Sequence, residues 1–228
     1  MKKKAIIISI KSYKLTKKEE KIFANENPWG LIIFKRNIKS FNQIKKLISK
    51  IRKLTNDDKF PIMIDEEGHT VTRLSKIINN DLSQKLIGDI YKSNPIIGLA
   101  IYKDYIKNLC IILNDIGINI NTVPVLDVLR KNTSKIIGTR SFSNNPYTVK
   151  KLGIACINQY DFNKIATVIK HIPGHGCAST DSHLKLPKVK LNFKDLNKID
   201  FEPFKSSSAK FAMTAHILYT KIDSQNNA

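Results

Sequence analysis

The sequence predicts an α/β fold built on a parallel sheet and arranged as a (β/α) barrel. Three observations carry that reading. Short runs that are almost continuously apolar recur along the 228 residues, as they do in strands buried on both faces. Amphipathic stretches of crossover length separate them, and parallel neighbours require such connections. Ionisable groups follow the ends of several runs: Asp65 after the third, Asp127 after the fourth, Lys170 and His171 after the fifth, and His216 after the sixth. An open doubly wound sheet gathers its chemistry at one switch point, whereas a barrel displays it at the C-terminal ends of many strands.

Strands are expected over residues 5–10, 30–34, 61–64, 117–124, 165–169 and 210–214, each a short apolar run. Thr16 with Glu19 makes a capping box that opens the first helix. Ser40 with Gln43 makes another, ahead of Phe41, Ile44, Leu47, Ile48, Ile51 and Leu54, which share one helical face. Further helices are expected over 95–115, 146–160 and 192–207. There is neither a repeat of fixed period nor a low-complexity linker, so residues 1–228 read as one domain.

Composition narrows the function classes. The formal charge is +20, and of the 39 basic residues 34 are Lys and only 5 Arg. Readers of phosphate and base edges favour the planar fork of arginine, so lysine spread along the helices reads as a solvated face rather than a nucleic-acid surface. Cys110, Cys156 and Cys177 are 46 and 21 residues apart and form no CxxC pair, zinc pattern or disulfide framework, which suits a reducing cytoplasm. The opening MKKKAIIISIKSYK has a basic flank, but its apolar run ends at Ile10. That is too short for a signal peptide core or a membrane span, and it reads as a first strand in a cytoplasmic protein without a membrane partner.

The densest chemistry lies in residues 170–187, KHIPGHGCASTDSHLKLP, directly after an apolar run. The run delivers Lys170 and His171 to a loop that turns through Pro173, Gly174 and Gly176. Within it, Asp181 and His183 are two apart, so an extended loop projects both to one side. The carboxylate can then hold one imidazole nitrogen while the other moves a proton; a solvated histidine with an incidental acid nearby is the plain alternative. Asp65-Glu66-Glu67-Gly68 ends the third run with Arg73 eight residues past Asp65. Asp65 can accept two sugar hydroxyls there, or merely cap the following segment. Gly138-Thr139-Arg140-Ser141 offers an arginine near the start of a helix. Pro173 and the glycines break the helical face that His171 and His175 would need to share a metal, and no thiolate or second carboxylate cluster joins them, so no metal site is expected.

Six segments in order, LIIFKRN (31–37), IDEEGHTVTRL (64–74), PVLDV (124–128), IIGTRSF (136–142), KHIPGHG with DSH and LP (170–187) and AHILY (215–219), resemble the family-3 glycoside hydrolases. They are most similar to the bacterial cytoplasmic β-N-acetylglucosaminidases that trim N-acetylglucosamine (GlcNAc) from anhydromuropeptides in cell-wall recycling. The resemblance implies a (β/α)8 TIM barrel, of which about six of the eight βα units are present, and retaining hydrolysis of a terminal β-linked GlcNAc without a cofactor. It assigns sugar contacts to Asp65, Arg73, Arg140, Lys170 and His171, and acid/base work to His183 with Asp181 as its partner. His183 would protonate the departing oxygen and then activate water.

The chain departs from the family pattern at three places. Gly68-His69 stands where the family has two glycines, and Cys177 where an aspartate commonly follows Gly-His-Gly. The third concerns the nucleophile, an aspartate after the seventh strand in a Ser-Asp-Asp setting. Here the polar tail KIDSQNNA follows soon after the sixth strand. The expectation is a C-terminally truncated barrel lacking that carboxylate, with a separate fragment able to complete it. Three functions follow: a β-N-acetylhexosaminidase acting on muropeptides or other amino-sugar glycosides, a catalytically inactive remnant or GlcNAc-binding protein, and a lysine-rich nucleic-acid binder. The last predicts steeply salt-dependent retention on DNA.

Overall fold

The computed structural model describes residues 2–180, 186–205, 207–223 and 225. In chain order the elements are β1 (Lys4–Ile8), α1 (Lys17–Asn25), β2 (Pro28–Ile33), α2 (Phe41–Thr55), β3 (Ile62–Ile64), α3 (Gln84–Ser93), α4 (Pro95–Ile116), β4 (Ile120–Asn121), α5 (Pro146–Phe162), β5 (Ala166–Ile172), β6 (Lys188–Val189), α6 (Phe193–Lys198), β7 (Phe211–Thr214) and β8 (Leu218–Tyr219). Six strands form one sheet in the order β1-β2-β3-β4-β5-β7. Every pair is parallel. The sheet curls into a half-barrel of the (β/α) type, as the alternation of runs predicted. β1 and β7 are its edges, and β6 pairs with β8 in a separate parallel ribbon.

The helices form where their caps and apolar faces dictate. Thr16 accepts the Glu19 amide, and the Glu19 carboxylate answers by accepting the Thr16 amide. At α2, Ser40 accepts from the Gln43 amide, but the Gln43 side chain takes the Lys39 amide instead of closing the box on Ser40. Ile44, Leu47, Ile48 and Ile51 are buried as the periodicity requires. Asn94 caps α4 by accepting the Ile96 and Ile97 amides, with Pro95 in the first turn where its missing N–H is harmless. Gly117 ends α4 with φ of 97°, a left-handed conformation that suits glycine.

Strand alternation places one apolar layer on each side of the sheet. Leu31, Ile33, Ile62, Ile64 and Ile169 face the helices and join the main core. Met63, Ile120 and Val168 face inward, with Trp29, Ile32, Phe211 and Met213 packed around them. Lys170 lies two residues past Val168 and shares its inward face.

The structure corrects three boundaries and adds one helix. The fifth strand runs on to Ile172, so Lys170 and His171 lie on β5 and not on the loop after it. Backbone pairing with Met213 and Thr214 across β7, and with Pro124 and Leu126 across the sheet, holds that extension. The fourth strand is regular only at Ile120–Asn121; beyond it Pro124, which has no amide to give, interrupts the ladder, and the chain meets β5 again through a bridge at Val125. The expected helix over 192–207 is split into α6 and a single 3-10 turn at Glu202–Phe204. The chain breaks between them to bury the Asp200 carboxylate against Arg130. Finally, α3 was not anticipated: Gly88 sits inside it, and glycine argues locally against a helix.

Candidate functional site

All five predicted sugar contacts converge at the C-terminal end of the sheet. Asp65 follows β3 directly, and its two oxygens are divided between cations. Oδ1 faces the Lys170 ammonium at 3.0 Å and accepts the Thr122 hydroxyl; Oδ2 faces the Arg73 guanidinium at 3.2 Å. Lys170 also donates to Thr122 Oγ1 at 2.9 Å and to Glu67 Oε1 at 2.5 Å. Its three N–H bonds are therefore all engaged, and its side chain is 2% exposed.

Glu67 is the hub on the other side. Its carboxylate takes Arg140 in a bidentate grip, Nε at 2.7 Å and Nη2 at 2.8 Å, while also holding Lys170. Arg140 lies on an isolated 3-10 turn, Gly138–Arg140, and the following helix opens only at Pro146. From there Arg140 Nη2 reaches 3.5 Å from His171 Nε2. The opposite imidazole nitrogen, Nδ1, lies 2.7 Å from Oδ2 of the fully buried Asp127. Asp127 Oδ1 accepts the backbone amides of His171 at 3.3 Å and His175 at 2.6 Å. The result is one connected chain of polar contacts: Arg73, Asp65, Lys170, Glu67, Arg140, His171 and Asp127.

Electrostatics follows from these pairings. Burial raises the carboxyl of Asp65, but Lys170, the Thr122 hydroxyl and Arg73 outweigh it and hold the group well below the ordinary carboxylate range. Glu67 is likewise held down, because Lys170 and Arg140 overcome its burial. Asp127 is held down by His171 and the His175 amide against the same opposing effect. Burial lowers Arg140, yet the Glu67 carboxylate more than restores it. Burial also lowers His175, so this imidazole favours its neutral form.

Three of these partners were not assigned from the sequence. Glu67 belongs to the acid run at the end of β3, where alternation turns Asp65 and Glu67 one way and Glu66 the other. Glu66 is fully buried and accepts from Thr72, Asn80 and the amides of Arg73 and Leu74, which fixes the loop that brings Arg73 back to Asp65. Asp127 was visible only as an acid at a strand end. Nothing in a single sequence marks Thr122.

The loop after β5 is anchored at its base. Gly176 lies so close to Val128 that a Cβ would meet its carbonyl oxygen at 1.8 Å. Tyr219 donates its hydroxyl to Gly174 O at 2.7 Å, and Thr133 donates to Gly176 O at 2.6 Å. Cys177 is packed there, and burial pushes its thiol up to about 12. Asp181 and His183, the predicted acid/base pair, lie outside the described residues.

Beside His171 a cleft of about 170 Å³ is lined by Arg140, His175, Met213, Thr214 and His216. A larger cleft of about 450 Å³ opens at the opposite end of the sheet, between Trp29, Lys210 and Phe211, away from the charged chain. Size therefore does not mark the site; the converging polar groups do. Among the described residues no three His, Cys, Asp or Glu side chains group as a metal centre. No helix among them is long and apolar enough to cross a membrane.

Comparison with known proteins gives one answer at two levels. The model of the glycosyl hydrolase family 3 N-terminal domain matches residues 2–228. Beta-hexosaminidase A of Pseudoalteromonas piscicida is 32% identical over 210 residues, which are 85% of this chain and 33% of that protein. The beta-hexosaminidase of Neisseria gonorrhoeae (strain NCCP11945) is 29% identical over 224 residues, 96% of this chain and 62% of that one. In three dimensions, NagZ from Neisseria gonorrhoeae in complex with N-trifluoroacetyl-D-glucosamine is similar with a TM-score of 0.87 and 29% identity, covering 96% of this chain and 65% of its own. The chain thus spans between a third and just under two thirds of the length of these relatives.

Proposed function

The chain belongs to glycosyl hydrolase family 3, and from that membership we propose that it serves as a β-N-acetylhexosaminidase, hydrolysing terminal β-linked GlcNAc from muropeptide fragments in the cytoplasm. The convergence of Asp65, Arg73, Arg140, Lys170 and His171 at one end of the sheet carries the reading. Asp65 keeps an acceptor site on Oδ2 after its contacts with Lys170, Thr122 and Arg73, so it can accept a hydrogen bond from a sugar hydroxyl. Arg73 and Arg140, less buried than Lys170, supply donors around it, and His171 presents its ring beside them. Capture of a GlcNAc analogue by the Neisseria relative supports the same chemistry.

In this proposal His183, oriented by Asp181, protonates the glycosidic oxygen as it departs and then takes a proton from water in the second step. Retention also needs a carboxylate to attack the anomeric carbon. Asp65, Glu67 and Asp127 are each tied to cations or to His171, so none of them is suited to that role. The nucleophile is therefore assigned to a βα unit beyond the six-stranded sheet. The engagement of all three acids favours a second reading, in which residues 1–228 bind GlcNAc without cleaving it.

Release of chromophore from an aryl GlcNAc glycoside, abolished by His183→Ala, is the expected result for the enzyme. Absence of turnover by pure, folded protein rules out hydrolysis by this chain alone. Millimolar GlcNAc that raises the melting temperature then supports the binding reading, and an unchanged melting curve removes it.

A further inference from the structure

Glu67 occupies an unusual position for a carboxylate. Its side chain is 2% exposed, and the cations it holds come from two distant parts of the chain: Lys170 on β5 at 2.5 Å, and Arg140 at 2.7 and 2.8 Å. A buried ion triad is a poor device for stability alone, since apolar side chains of equal volume commonly replace such groups without loss. What the triad does supply is geometry. Arg140 grips the carboxylate through its planar Nε/Nη2 fork, which sets the orientation of the guanidinium, and Lys170 is fixed at the same time by Asp65 and Thr122. One carboxylate thereby determines how far apart the two cationic heads stand, and Arg140 in turn reaches the ring of His171.

We propose that Glu67 is a positioning residue: it does not touch the sugar, but fixes the spacing and orientation of Lys170 and Arg140, and through them of Asp65 and His171, that a hexosamine ring requires. This inference rests on the sugar-binding reading above. A neutral glutamine in its place keeps the shape but presents an amide N–H to a cation, so one of the two partners must swing away. Glu66, its buried neighbour, organises the Arg73 loop and could not substitute, because strand alternation points it to the other side.

The experiment uses the full chain in two measurements. Titration calorimetry with GlcNAc compares the wild type, Glu67→Gln, Lys170→Met and the double variant. The expected result is an affinity lower by about tenfold or more in Glu67→Gln, with the double variant losing less than the product of the two single losses. Separately and without sugar, the Arg140 Nε–H resonance should move and exchange faster in Glu67→Gln while the amide spectrum keeps its native dispersion. Wild-type affinity in Glu67→Gln, strictly multiplicative losses, or an unmoved Arg140 signal would each overturn the proposal. Failure of the wild type to bind GlcNAc sinks the sugar-binding reading instead, and the Arg140 resonance still decides whether Glu67 holds its cation. Should Glu67→Gln not fold, Glu67→Asp, which keeps the charge but withdraws it by one methylene, carries both measurements, with partial loss expected in each.

Discussion

Asp127 shows how much a single buried acid organises. It holds the Nδ1 side of His171, and it also draws in the amides of His171 and His175, so it fixes both the ring and the backbone that bears it. With Nδ1 donating to the carboxylate, Nε2 is left to face Arg140 and the cleft. Asp127→Asn preserves the volume but removes the charge, leaving a buried amide opposite groups that all donate. The expected loss is about 2–4 kcal/mol in urea denaturation, together with weaker GlcNAc binding; a variant as stable as the wild type would contradict this account. At this scale the sequence was partly legible. Asp65, Lys170 and His171 stood out because charges at the end of an apolar run have few structural uses. Glu67 was masked by its acidic neighbours, and Thr122 by the ordinariness of a threonine in a strand.

Among the elements, α3 is where local preference and tertiary packing disagree. Gly88 lowers helix propensity, yet the helix forms because its glycine lets the backbone of Phe142 come close. A Cβ at that position would meet the Phe142 carbonyl oxygen at 1.8 Å. Gly88→Ala therefore has two opposed effects: a gain of about 1 kcal/mol in helix propensity, and an overpacking penalty of about 1–3 kcal/mol. Because the clash is with backbone rather than a flexible side chain, the penalty should win. A melting temperature at or above that of the wild type would show that the two segments can separate freely. By contrast α1, α2, α4 and α5 were legible, since capping residues, prolines at the first turn and a periodic apolar face are all local signals. The reach of β5 was not, because Lys170 and His171 interrupt its apolar run and the extension to Ile172 is held by partners across the sheet.

At the scale of the whole molecule, the charged chain at the sheet end makes stability depend on pH in a definite direction. Asp65, Glu67 and Asp127 are held below their ordinary values of 3.8, 4.5 and 3.8. The stability they contribute is complete above about pH 4.5 and is lost as pH falls through their depressed folded values. His175 is lowered from 6.5 by burial, so the unfolded chain takes up that proton first and a shallower loss begins below pH 6.5. Asp200, raised by burial despite Arg130, opposes the trend, because protonating it relieves a penalty. Urea midpoints should be level between about pH 8 and 6.5, decline gently to about 4.5 and fall steeply below. Midpoints that rise on acidification would refute the arrangement of charges. The same scale separates what was readable from what was not. By itself the sequence determined the alternation of strands and helices, their caps, and the delivery of ionisable groups to strand ends, since each depends on residues within a few positions of one another. Only the tertiary structure decided which charge meets which. Lys170 and Asp65 are 105 residues apart, and Arg140 and Glu67 are 73 apart. Such pairs come together because parallel strands bring their C-terminal ends to one rim, where a charge leaving water must find its opposite or remain unpaired.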